Sequence, residues 1–169
     1  MRKAIVLALL AALVVPAAAL GATPTRTDRA HAFGDCAILK ERLGPRTFRA
    51  TYRPAAGSTR NAFGRCVAQW ARAEAANRVH AARACSAERA GDPAAFHEQY
   101  GAGSNAYGAC VASKRRHASR VDRRDTVTAA WTCKAARRDD ADAFATDWGS
   151  GRRAFGKCVS ATARASQAS

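Results

Sequence analysis

Cys85-Ser86-Ala87-Glu88-Arg89-Ala90-Gly91-Asp92-Pro93-Ala94-Ala95-Phe96-His97-Glu98-Gln99-Tyr100-Gly101 is the stretch that decides how this chain is read. Asp92 is a favoured helix N-cap, because its carboxylate accepts from the free amides of a first turn. Pro93 follows at the first helical position, where its fixed φ suits a helix and its missing N–H costs nothing. Gly101 suits the left-handed residue that closes a helix. The stretch therefore predicts a short helix over 93–100. Phe96 and Tyr100 stand four apart on one face of it.

The same pattern returns 48 residues later. Cys85, Ala87, Arg89, Asp92, Phe96, Tyr100 and Gly101 become Cys133, Ala135, Arg137, Asp140, Phe144, Trp148 and Gly149. A looser earlier copy runs from Cys36 through Phe48 and Tyr52 to Cys66. A second element, Asn61-Ala62-Phe63-Gly64-Arg65-Cys66-Val67, recurs as Asn105-Ala106-Tyr107-Gly108-Ala109-Cys110-Val111 and as Ala154-Phe155-Gly156-Lys157-Cys158-Val159. Ala32-Phe33-Gly34-Asp35-Cys36 is a partial echo. A fixed period of this size is the mark of a repeat architecture. Three units of about 48 residues are expected.

Between the short helices, 62–90 and 106–138 are dense in Ala, Arg, Glu and Gln, which are strong helix formers. Asn61 and Asn105 are the expected N-caps. Phe63, Cys66, Val67, Trp70, Ala73, Ala81, Ala84 and Cys85 fall near one stripe of period 3.6. Thr126-Val127-Thr128, beside Asp125, is where the second long helix is expected to bend or break. Gly103 reads as a loop residue and Gly108 as a close-packing position. The fold class expected is all-α: a disulfide-stapled helical repeat, long helices alternating with short aromatic ones.

The motif Asn-Ala-Phe-Gly-x-Cys-Val resembles one found in small, Ala- and Lys/Arg-rich secreted bacterial proteins of unknown function. The resemblance covers most of residues 32–160 and implies no activity.

The ends of the chain have a different composition. Arg2 and Lys3 precede an unbroken apolar run from Ala4 to Val15, then Pro16 and the small residues Ala17–Ala19 and Leu20-Gly21-Ala22. This is the layout of a secretory signal peptide. The run is shorter than the roughly 20 residues needed to cross a bilayer. Residues 1–22 are thus expected to be cleaved. A flexible segment 23–31, one helical domain 32–165 and a disordered tail 166–169 are expected to follow. An exported, extracytoplasmic location follows from the same signal.

Residues 23–169 hold 26 basic and 13 acidic residues, and 22 of the basic ones are Arg. Ala supplies 36 of these 147 residues, against nine Ile, Leu or Val and six Phe. Such a core is thin, so covalent staples are needed. All six Cys lie in the repeat. An even count at regular spacing in an exported chain reads as a disulfide framework. Cys66 and Cys85 are about 28 Å apart along one expected helix, too far for a bridge. The same holds for Cys110 and Cys133. The remaining local pairing is Cys36–Cys66, Cys85–Cys110 and Cys133–Cys158.

Chemistry is harder to find. His31, His80, His97 and His117 make no i,i+3 or i,i+4 pair, and no CxxC occurs, so neither a metal site nor a cofactor is expected. Asp139, Asp140 and Asp142 read as helix-start capping. No nucleophile elbow is present, and an enzyme is not expected. The basic run Lys114-Arg115-Arg116, continued by Arg120, Arg123 and Arg124 on one helix, is the candidate contact patch. A strongly positive exported chain attracts polyanions. The expected function is a secreted structural or binding module whose partner is an anionic polymer or cell-envelope surface. A small secreted hydrolase and an antimicrobial or effector protein are the alternatives.

Overall fold

A computed structural model describes residues 22–54 and 61–168. The expected signal peptide, up to residue 21, lies outside the described residues. Six helices follow one another: α1 (Arg26–Thr51), α2 (Ala62–Gly91), α3 (Pro93–Tyr100), α4 (Ala106–Asp139), α5 (Ala141–Trp148) and α6 (Ala154–Ala168). No strand occurs among the described residues.

The helix starts are built as their sequences dictate. Asp92 accepts from the Ala95 amide at 2.9 Å and Asp140 from the Ala143 amide at 2.8 Å. Asn61 accepts from the Gly64 amide at 2.8 Å. Gly101 and Gly149 close α3 and α5 with φ of 91° and 86°, a region that only glycine enters at little cost. α1 breaks internally at Gly44, whose φ is 70°, and restarts at Pro45. The restarted segment carries Phe48 and Tyr52, whose rings are 4.9 Å apart.

Several expectations are corrected. Asn105 does not cap α4: its backbone is already helical and its side chain makes no capping bond. α4 runs unbroken through Thr126-Val127-Thr128, because Val127 packs on the core and Asp125 is buried. Gly108 is no close-packing position, since nothing lies within 4 Å of where a Cβ would stand. Gly156 is the close approach instead, with the Thr51 carbonyl oxygen 2.5 Å from that point. The segment 23–31 is not a flexible lead. Thr25 and Asp28 form a reciprocal capping box, so helix begins at Arg26, and Asp28 is fully buried. α6 likewise continues to Ala168, beyond the expected end of the domain at 165.

The three disulfides are Cys36–Cys66, Cys85–Cys110 and Cys133–Cys158, each with Cα atoms 6.0 Å apart. Each ties one long helix to the first turns of a later one, across an aromatic segment. A closed loop of this length is worth about 3–4 kcal/mol in the chain-entropy picture. The main core gathers Leu39, Leu43, Phe48, Tyr52, Trp70, Phe144, Phe155 and Val159 around two of the bridges, with Ala71, Ala129 and Ala130 letting the helices approach. Within it, the Trp70 indole N–H donates to the Tyr52 hydroxyl at 3.0 Å. Burial pushes that phenol up to about 12. A smaller cluster forms around Cys85–Cys110, with Phe96, Ala106, Tyr100, Tyr107 and Val111.

Candidate functional site

α4 carries every residue of the expected basic patch, but the helix divides them. Successive residues turn by about 100°, so Arg115 and Arg116, or Arg123 and Arg124, cannot share a face. Arg115 turns inward, its Nε 3.9 Å from a Glu74 carboxylate oxygen and its Nη2 3.4 Å from His31 Nε2. Arg123 donates to the buried Asp35. Lys114 pairs with Glu88 at 2.6 Å, and that hydrogen bond raises the ammonium above its ordinary range. Arg116, Arg120 and Arg124 face solvent. Arg124 pairs with its neighbour Asp125, at 3.4 Å.

The inward cations belong to a polar network between α1, α2 and α4. Arg78 reaches Asp28 at 3.2 Å. Burial alone would raise the Asp28 carboxyl, but Arg78 and Thr25 outweigh it and hold the group below the usual range. Glu74 is 2% exposed; it accepts from the Ser119 hydroxyl and lies 4.0 Å from His31 Nδ1. Burial raises its carboxyl, and Asp35 nearby adds to the effect while Ser119 and Arg115 oppose it. Asp122 accepts from Asn77 and from Gln167, both at 2.8 Å. Its carboxyl is also raised, chiefly by burial. Paired, hydrogen-bonded charges are the form in which an interior tolerates ions. A core poor in large aliphatic residues fills its helix interfaces with arginine stems instead.

Apolar periodicity does not reveal this network. The α2 stripe predicts Ala73 inside, whereas the buried positions are Ala71, Glu74 and Ala75. The available signal is charge pairing between the acidic residues of α1 and α2 and the cations that α4 turns inward.

The outward face of α4 extends the exposed arginines. Trp131 lies seven residues beyond Arg124, and Arg138 seven beyond Trp131, so all fall on one side. Trp131 is 47% exposed, and the Lys134 ammonium lies 4.8 Å from its ring centroid. Arg138 pairs with its neighbour Asp139 at 2.8 Å. From Arg116 to Arg138 the face is about 33 Å long at 1.5 Å per residue. Trp131 escapes the sequence reading because it occupies an outward position in a helix read for its apolar side. The arrangement is a row of donors interrupted by one flat ring, suited to a flexible anionic strand.

A cavity of about 440 Å³ opens elsewhere, lined by Asp122, Asn77, His80, Tyr52, Thr126 and Arg164 among others. Both Asp122 oxygens already hold amide donors from Asn77 and Gln167. Among the described residues no group of three His, Cys, Asp or Glu side chains is placed to hold a metal ion. No helix there is long and apolar enough to cross a membrane. No family model, curated protein or solved structure matches the chain. Its own side chains therefore carry the functional reading.

Proposed function

We propose that this is a secreted binding module, built of three 48-residue units, that holds a linear polyanion along the outer face of α4. The single supporting observation is the row Arg116, Arg120, Arg124, Trp131, Lys134 and Arg138, solvent-facing along one helix. The repeat reading is supported by matching positions. Gly44, Asp92 and Asp140 each interrupt the chain before an aromatic helix, 48 residues apart. Export is supported by the three bridges and by the N-terminal signal pattern.

A fluorescent single-stranded oligonucleotide is a convenient polyanion probe. Its affinity for the oxidised protein should fall linearly in a log–log plot against salt. Replacing Arg116, Arg120 and Arg124 together with Ala should lower that slope by about 2, since each phosphate left without its cation is worth about 0.7. A matched triple, Arg29→Ala, Arg42→Ala and Arg46→Ala, changes net charge equally and should leave the slope within about 0.5 of the parent. Equal losses from both triples would overturn the α4 assignment. Trp131→Ala should weaken binding about 5- to 100-fold at unchanged slope, the range expected when one base is no longer stacked.

A further inference from the structure

A second surface, distinct from the α4 face, is more enclosed and more strongly charged. Two adjoining cavities of about 550 and 670 Å³ open where the end of α1, the first turn of α2 and the start of α6 converge. Both are lined by Arg53, Trp148, Arg153 and Lys157. The first adds Arg65 and Arg164, and the second adds Arg152. Asp147 is the lone carboxylate in either lining.

None of these cations is in an ion pair with another described residue. The ion pairs of the described residues use His31, Arg78, Lys114, Arg115, Arg123, Arg124 and Arg138 on the basic side, and none of the cleft cations. Their placement is also adverse locally. Arg65 sits in the first turn of α2, Arg153 immediately precedes α6 and Lys157 sits in its first turn, where the helix dipole disfavours positive charge. Neither helix has an acidic residue in its first turn. α1 and α5, by contrast, carry Asp28 and Asp142 there. The crowding and the dipole are both relieved by the same thing, an anion seated between the arginines.

We propose that this cleft binds a small sugar bearing two or more phosphate or sulfate groups. The cations supply more than one anion subsite, which a single inorganic ion would not fill. The cavity sizes match a ligand of one or two rings. Trp148, half-buried on the wall of both cavities, offers a flat apolar surface for a ring. Asp147 gives an acceptor for hydroxyl groups and opposes indiscriminate anion loading.

Titration calorimetry on the oxidised full domain tests this with two probes, myo-inositol hexakisphosphate and sucrose octasulfate. One-to-one saturable binding is expected for at least one of them, and the tighter probe identifies which group the cleft prefers. Sucrose should not bind, and inorganic phosphate should compete only at concentrations about 100-fold higher, having one anionic group to offer. Arg153→Gln with Lys157→Gln should weaken binding about 100-fold, or tenfold for each charge-assisted hydrogen bond removed. These side chains are exposed, so the fold is expected to persist. Asp147→Asn should tighten binding about threefold by removing a repulsive charge, a gain that a damaged fold would not give. Arg29→Ala with Arg42→Ala, exposed positions outside both cavity linings, should leave binding of both probes unchanged. Absence of saturable binding, indifference to the Arg153/Lys157 change, or competition by inorganic phosphate at equal concentration would each overturn the proposal.

Discussion

α3 and α5 are local twins with different surroundings. Each has eight residues, an aspartate cap, a positive-φ glycine at its end and a flanking bridge of sequence separation 25. Phe96 of α3 is buried in the small cluster with Cys85–Cys110 and Ala106. Phe144 of α5 is buried as a member of the main core, which also holds Leu43, Phe48, Trp70 and Phe155. Identical local instructions produce the same helix twice, but tertiary context decides how much of the protein depends on it. Opening α3 exposes a member of the small cluster, whereas opening α5 exposes a member of the main core. A protein's stability is uneven in this way when part of its structure can open alone.

Phenylalanine truncation should show the contrast most strongly. Phe144→Ala should cost about 3–5 kcal/mol in global denaturant unfolding. Phe96→Ala should cost less than half of that, because the loss is capped by the free energy of opening α3 locally. Equal costs would mean that the two clusters unfold as one. The bridges come next. Entropy alone makes them equal, at about 3–4 kcal/mol each. Cys133→Ser with Cys158→Ser should show the full loss. Cys85→Ser with Cys110→Ser should show less globally, with amide exchange accelerating over 93–100 while α1 and α6 stay protected.

Acidification should separate the regions in another way. Glu74 and Asp122 are raised carboxyls, so the folded state holds extra protons just above the ordinary carboxyl range. Their contribution falls as pH rises through that window. Asp28 is lowered, so its contribution is present above its ordinary value and disappears as pH drops below it. All three belong to the α1–α2–α4–α6 side. Glu74→Gln should therefore flatten the loss of global stability as pH rises above the ordinary glutamate value, read by chemical denaturation. The exchange rate of α3 amides, corrected for intrinsic chemistry, should be unaffected. The caps are the smallest lever: Asp92→Ala and Asp140→Ala should each cost about 1 kcal/mol, the first in local exchange and the second in the global transition.

The short helices were legible because a capping Asp, followed by Pro in α3, and a closing Gly mark their ends by local backbone chemistry. The cysteine pairing was legible because helix length forbids Cys66–Cys85 and Cys110–Cys133 and the repeat offers local pairs at matching spacing. The polar interior was not. Apolar periodicity cannot see that Glu74 lies within the buried stripe of α2, since a paired carboxylate looks like a solvated one in sequence. Nor does a run such as Lys114-Arg115-Arg116 reveal which of its members turns inward until the orientation of α4 is fixed by Ser119 and Asp125 facing inward. The start of α1 was hidden because Thr25 and Asp28 announce a helix through a capping box with no apolar residue beside it. Trp131 and the Arg53–Lys157 cleft depend on where separate helices end, which no single stretch encodes.

The three bridges also set how the chain would respond to being pulled. Twenty-five residues drawn taut reach about 85 Å, yet Cys85 and Cys110, like Cys133 and Cys158, are held 6.0 Å apart. Tension applied at the ends passes through the sulfurs and bypasses residues 37–65, 86–109 and 134–157. Between the first and last bridges, the stretches that can lengthen under load are 67–84 and 111–132. The aromatic helices sit inside the bypassed loops, so an oxidised molecule anchored at one end and tugged at the other would keep α3 and α5 slack while α2 and α4 bore the force.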